Sequence, residues 1–289
     1  MADAPTAPRP LGSYAAYLFD VDGTLVYPGR AIAGTPEALL ALKRAGRRTL
    51  IVTNNSTISR AGMAAKLRGF GFPIEEADVA TAVVATAAFI AQERPGARVH
   101  VLGSQGLREE LRRAGLTIVE DGTDAEYLVV GSDPDVTYER LARAMRVGLA
   151  GARFVAVNLD PLIYDPNGSY PGSALFVGAM RGAIGREPDV VVGKPSPLLL
   201  REVLELVGLP ADECLFVGDS LAADVVAARA VGMPAALVLS GVTDRAQLAA
   251  AEIRPDYVLE SAAELRGVVE AAETRAGRRR EQLGKGVVS

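Results

Sequence analysis

The feature that most restricts how this chain can fold is a repeated alternation. Apolar runs of strand length are followed by amphipathic stretches of helix length, and polar clusters stand where several of the apolar runs end. Such repetition predicts a parallel sheet covered by helices, because parallel neighbours need a long crossover and a helix supplies it. Tyr17-Leu18-Phe19 runs into Asp20-Val21-Asp22-Gly23-Thr24, and Arg48-Thr49-Leu50-Ile51-Val52 runs into Thr53-Asn54-Asn55. Between them Thr35-Pro36-Glu37 opens a helix carrying Leu39, Leu40 and Leu42 that stops at Gly46; proline is tolerated in a first turn, where its missing N–H has no partner to lose.

After Thr81 the texture becomes Ala-rich and helical, and a second strand-helix series starts at Arg98-Val99-His100-Val101-Leu102. It continues through Tyr127-Leu128-Val129-Val130, a helix from about Thr137 to Ala150, Phe154-Val155-Ala156-Val157, a Gly/Pro-rich stretch from Asp165 to Gly172, and a helix ending near Gly185. The original series then resumes with Val190-Val191-Val192-Gly193-Lys194, a helix through Leu198 to Val207, and the run Cys214 to Val217 ending in Gly218-Asp219-Ser220. A helix Ala222 to Val231, the strand Ala236 to Leu239, and Tyr257-Val258-Leu259 complete it. The expected organisation is a discontinuous core, residues 13–82 and 187–270, with an inserted α/β domain at 83–186 and flexible tails at 1–12 and 275–289.

Composition narrows the chemistry. With 289 residues and 49% apolar content the chain can build two packed cores. One cysteine, Cys214, and one histidine, His100, exclude an internal disulfide and the Cys/His clusters that hold zinc. Cys214 lies in an apolar run and His100 between two valines, so both read as structural. A net charge of −4 gives no reason to expect a nucleic-acid polymer as partner. The basic run Arg275, Arg278, Arg279, Arg280 and Lys285 reads as a solvated helix end. No apolar stretch is long enough to span a membrane, and residues 1–12 lack the order of a signal peptide, which predicts a cytoplasmic protein.

Four polar clusters follow apolar strands, which is where open α/β sheets bind ligands: Asp20 to Thr24, Thr53 to Asn55, Lys194, and Asp219 to Asp224. Together they suit a phosphate ester. Asp20 is placed to attack phosphorus, and Asp22, on the same side of an extended chain, to protonate the leaving oxygen and later activate water. A carboxylate repels a phosphate, so Mg2+ is expected, held by Asp20, the main-chain carbonyl of Asp22, and Asp219; Asp224 would stand behind it or orient Lys194. Lys194 offers positive charge, and Thr53 with the amides of Asn54 and Asn55 at a helix start offers an anion cradle. Singly, each cluster also fits a turn, a cap or a solvated lysine. Asp-x-Asp-Gly also opens calcium loops, but Ala31 stands where that loop needs its closing glutamate. Four clusters in this order argue for one site.

The run Asp20-x-Asp22-Gly23-Thr24, then Thr53, Lys194 and Gly218-Asp219 with Asp224 five residues beyond it, resembles the haloacid dehalogenase superfamily across nearly the whole chain. Thr53-Asn54-Asn55-Ser56-Thr57, Asn158-x-Asp160, Gly168-x-x-Pro171-Gly172, Gly193-Lys194-Pro195 and Gly241-Val242-Thr243 make it similar to subfamily IIA, the branch of NagD-like nucleotidases, 4-nitrophenylphosphatases and phosphoglycolate phosphatases. The resemblance implies a Rossmann-like, doubly wound parallel core, with the insertion acting as an α/β cap that excludes large substrates. It implies hydrolysis of a small phosphomonoester, with Asp20 as nucleophile, Asp22 as acid/base, Thr53 and Lys194 on phosphate, and Asp219 on magnesium. It also implies that Asn158, Asp160 and Tyr164 belong to the segment that selects substrate, and that two copies can pair through the cap. Tyr164 stands where the family carries proline, and Ser173-Ala174 where glycine follows Pro-Gly, so leaving-group preference does not transfer. Phosphoryl transfer to a second small acceptor and phosphate sensing without turnover remain the alternatives; dehalogenation would leave Asp22 idle.

Overall fold

The structure is a computed structural model in which residues 9–120 and 122–274 are described. In chain order the elements are β1 (Ala16–Phe19), β2 (Val26–Tyr27), β3 (Arg30–Ala31), α1 (Thr35–Arg44), β4 (Arg48–Thr53), α2 (Arg60–Gly69), β5 (Val79–Thr81), α3 (Ala82–Glu93), β6 (Arg98–Leu102), α4 (Gln105–Arg113), β7 (Thr117–Ile118) and β8 (Tyr127–Val130). There follow α5 (Tyr138–Leu149), β9 (Arg153–Ala156), β10 (Leu162–Asp165), β11 (Gly168–Pro171), α6 (Ser173–Ile184), β12 (Val190–Val191), α7 (Leu198–Val207), β13 (Cys214–Gly218), a π-helical turn (Leu221–Val225), α8 (Val226–Ala230), β14 (Ala235–Val238), α9 (Arg245–Ala250) and β15 (Tyr257–Leu259). No helix among the described residues is long and apolar enough to cross a membrane.

The chain divides into two compact units, one holding residues 9–50, 68–73 and 209–274, the other residues 51–67 and 74–208. In the first, β1 pairs with β13, β13 with β14, and β14 with β15, all parallel. Strands β1, β13 and β14 are buried at every position, as expected of a parallel sheet covered on both faces. Helix α1 forms as its sequence predicts, with Pro36 in the first turn and Gly46 at φ 71° just beyond its end. Residues 9–12 are held in this unit: the Leu11 carbonyl accepts from Tyr17 Oη at 2.7 Å, and Arg9 pairs with Asp212 at 3.2 Å. The basic run from Arg275 to Lys285 lies outside the described residues.

The second unit holds a five-stranded parallel sheet in the order β12-β9-β8-β6-β7. Leu128, Val130, Phe154 and Ala156 of the sheet pack with Ala144 and Val147 of α5 and with Phe176, Val177 and Met180 of α6. The pair β4 and β5 is also parallel.

Two expectations change. The run at Val190 does not rejoin the first strand series: β12 pairs with β9, so Lys194 leaves the five-stranded sheet. Two valines cannot signal which sheet they join, since the same apolar residues serve either. The Gly/Pro-rich stretch is an antiparallel hairpin, with Tyr164 opposite Ser169 and Asp165 opposite Gly168. The Asp-Pro-Asn-Gly turn is legible, but both strands are largely exposed and show no buried face.

Candidate active site

Asp20 follows β1 directly, and its amide donates to the Val217 carbonyl at 2.9 Å, which carries the β1–β13 ladder one step past the strand. The chain then folds back: the amides of Leu25 and Val26 both bond the Val21 carbonyl, at 2.8 and 3.0 Å, and Gly23 takes φ 81°. Asp22 sits half-buried in this turn. Asp219 follows β13, and Asp224 comes from the π-helical turn rather than from a regular first turn. Single π turns put one extra residue into a helix and are frequent at functional sites.

Asp20, Asp219 and Asp224 each bring a carboxylate oxygen within 4.8 Å of the others. The remaining geometry fixes two of these groups. Asp219 Oδ2 accepts from the Val242 amide at 2.7 Å, and Asp224 Oδ2 from the Ser220 amide at 3.0 Å. Glycines leave the room: a Cβ at Gly241 would lie 1.9 Å from Asp219 Oδ2, one at Gly23 2.3 Å from the same atom, and one at Gly218 2.3 Å from Asp224 Oδ2. Ser240 Oγ donates to the Gly23 carbonyl at 2.7 Å, tying the two loops that flank Asp219. Thr24 Oγ1 is buried with no hydrogen-bond partner among the described residues.

Three carboxylates this close repel one another and gain from a shared cation. Oxygen-only donors suit hard divalent ions, so the cluster fits a divalent metal. Asp224, expected behind such an ion, offers an oxygen within the same span.

The second unit carries the other predicted group. Thr53 ends β4, and Thr53, Asn54 and Lys194 are buried. Asn55 N–H donates to Thr53 Oγ1 at 3.1 Å, while Asn55 Oδ1 accepts from the Thr57 and Ile58 amides at 3.0 and 3.3 Å. This holds a loop, and α2 begins only at Arg60, so the Asn54 and Asn55 amides are not at a helix start. Asn54 Oδ1 accepts from the Lys194 amide at 2.8 Å, and its Nδ2 donates to the Lys194 carbonyl and to Asp160 Oδ1, both at 3.0 Å. Asn158 Nδ2 donates to the Asn54 carbonyl at 2.6 Å. Lys194 Nζ lies 3.4 Å from the Val52 carbonyl. Tyr164, on the hairpin, is 48% exposed.

The two residues read as structural have structural settings. His100 is buried in β6 with Nδ1 at 3.0 Å from the Val119 carbonyl, and burial holds its pKa below the usual histidine value. Cys214 is buried in β13, and burial pushes its thiol up to about 11. Sequence alone did not show that Gly241 and Gly218 make room for the carboxylates, or that Asn54 bonds Lys194. The only trace is that Gly218 ends the strand β13 and Gly241 stands three residues past β14.

Comparison with known proteins agrees with this picture. A family model described as haloacid dehalogenase-like hydrolase matches residues 17–117, and a second, described as HAD-hydrolase-like, matches residues 191–265. The chain is 34% identical to the sugar-phosphatase AraL of Bacillus subtilis, over 90% of this chain and 92% of that one. A p-nitrophenyl phosphatase structure from Archaeoglobus fulgidus superposes with a TM-score of 0.82 at 42% identity, covering 89% of this chain and 99% of the other. The glycerol phosphate phosphatase Rv1692 from Mycobacterium tuberculosis, solved in complex with calcium, gives a TM-score of 0.81 at 34% identity, covering 87% of this chain and 74% of its own. Sequence motifs, parallel α/β fold and relatives all agree, and the chain belongs to the haloacid dehalogenase-like hydrolases, in the NagD-like branch of phosphatases.

Proposed function

We propose that this chain is a Mg2+-dependent phosphatase that hydrolyses small phosphomonoesters through an aspartyl phosphate on Asp20. The observation that carries this reading is the trio of carboxylate oxygens within 4.8 Å, one from the residue directly after β1. The relatives named for sugar, glycerol and 4-nitrophenyl phosphates support the substrate class.

Asp20 attacks phosphorus, the bond from phosphorus to the ester oxygen breaks, and Asp22 gives a proton to the departing alkoxide. Asp22 then takes a proton from water, which attacks the phosphoryl group and releases inorganic phosphate and free Asp20. Lys194 and Thr53 serve the phosphoryl oxygens in the same reaction, and Asp20, Asp22, Asp219 and Asp224 would hold or orient the metal. Mg2+ supplies charge neutralisation that lets a carboxylate meet a phosphate dianion.

The inserted unit, expected at residues 83–186 and carrying β12 in its sheet as well, acts as the cap that limits substrate size, and pairing of two copies through it is consistent with this role. Work on metabolites inside the cytoplasm fits the small-substrate reading. The test is phosphate release from 4-nitrophenyl, glycerol and sugar phosphates before and after exhaustive chelation. Loss of turnover on chelation and recovery with Mg2+ is expected; full turnover in chelator contradicts the reading.

A further inference from the structure

Asn158 and Asp160 belong, by resemblance, to the segment that selects substrate, yet their contacts lead elsewhere. Strands β9 and β12 are neighbours, and their ladder runs on past both: Val192 donates to the Ala156 carbonyl at 3.1 Å and Gly193 to the Val157 carbonyl at 2.7 Å. Asn158 and Lys194 therefore leave adjacent strands at the same level. Asn54 arrives from the end of β4 and fits between them.

The Asn54 amide treats Lys194 as a neighbouring strand would, accepting from its N–H and donating to its carbonyl. Those two partners settle its orientation, since an N–H needs an acceptor and a carbonyl a donor. The second Nδ2 hydrogen goes to Asp160 Oδ1, and the Asn54 main chain is held by Asn158 Nδ2. Asn158 Oδ1 in turn accepts from the Asp160 amide at 3.0 Å, closing the network. A Cβ at Gly193 would lie 2.7 Å from Asn54 Oδ1 and 2.8 Å from Asn158 Cβ, so the network leaves no slack beside Lys194. Every bond is buried or half-buried, where losing one partner leaves the other group unsatisfied.

We infer that Asn54, Asn158 and Asp160 are positioning residues that fix the main chain of Lys194, and that Asn158 sets how well the lysine serves the phosphoryl group rather than which ester is chosen. This rests on the proposed role of Lys194. A lysine on a flexible four-carbon stem gains most from a fixed root, because small displacements of a charge at the reacting group are costly in rate.

The test uses Asn158→Ala, with Asn158→Asp as a variant of the same volume that replaces the donor to Asn54 by a carboxylate oxygen. Amide hydrogen exchange at Lys194 is expected to accelerate by about tenfold or more in both variants, while the Leu128 and Phe154 amides keep wild-type rates. The kcat for 4-nitrophenyl phosphate is expected to fall by about tenfold to a hundredfold. The ratio of kcat/KM between 4-nitrophenyl phosphate and glycerol phosphate stays unchanged, and Asn158→Ala adds no further loss in a Lys194→Ala background. Unchanged exchange at Lys194 overturns the inference, as does a changed substrate ratio with kcat preserved. Faster exchange with undiminished turnover also overturns it, for a separate reason: the lysine would be held but not used, and the proposed phosphate contact would fall with it.

Discussion

The acidic cluster of the first unit and the lysine cluster of the second are organised by opposite means. Around Asp219 the chain removes atoms: Gly23 and Gly241 leave space that any side chain would fill, and the Val242 amide donates to the carboxylate. Around Lys194 the chain adds partners: the Asn54 side chain bonds both the N–H and the carbonyl of Lys194, and Asn158 and Asp160 hold Asn54 in turn. The difference follows from charge. Three carboxylates gain from a shared cation and need access for it, so what matters is clearance. The lysine carries its charge on a flexible four-carbon stem, so what matters is where its root is fixed.

The contrast breaks most visibly at the proposed nucleophile. Asp20→Asn is expected to lower phosphate release by at least about 10^4-fold while the protein stays folded. In chelator the same variant should melt no lower than wild type, because it removes like-charge repulsion from the cluster. Lys194→Ala should lower kcat by about 10^2- to 10^3-fold yet leave the Mg2+ concentration for half-activity unchanged. A shift of that concentration in Lys194→Ala, measured by Mg2+ titration of turnover, would mean that the two clusters are not separable in function.

Gly241→Ala sharpens the clearance argument. Its Cβ would stand 1.9 Å from Asp219 Oδ2, so the carboxylate must turn away, and metal affinity should fall by about tenfold to a hundredfold. Wild-type affinity in this variant would show that Asp219 has room to adapt.

The smallest effect concerns His100, which neither cluster uses. Its folded pKa is held below the ordinary value of 6.5, chiefly by burial, so the unfolded chain binds the proton more readily. Its contribution to stability is whole above that ordinary value and is lost as pH falls below it towards the folded pKa. His100→Gln should therefore lose less stability than wild type between about pH 6.5 and 5, as read from urea midpoints. Parallel losses in the two proteins would contradict the sign.

Much of the acidic cluster was legible in the sequence, because Asp20 and Asp219 directly follow apolar runs and the strand ends of parallel sheets gather such residues. The lysine cluster was legible as residues but not as structure. Asn54 and Lys194 are 140 positions apart, and no local pattern says that a side-chain amide from one will pair with the backbone of the other. The membership of β12 and the hairpin at Tyr164 escaped for simpler reasons, one being too short to carry a pattern and the other too exposed to show a buried face. The π turn that carries Asp224 escaped because an inserted helical residue has no signature of its own.

The central claim is that Asp20 becomes phosphorylated. 4-Nitrophenolate needs no proton to depart, so Asp22→Asn should still form the intermediate from 4-nitrophenyl phosphate but hydrolyse it slowly. Rapid mixing of that variant with substrate should give a burst of one nitrophenolate per active site, with the phosphoryl label recovered on the peptide containing Asp20. Steady release without a burst, or label on any other residue, would contradict the account.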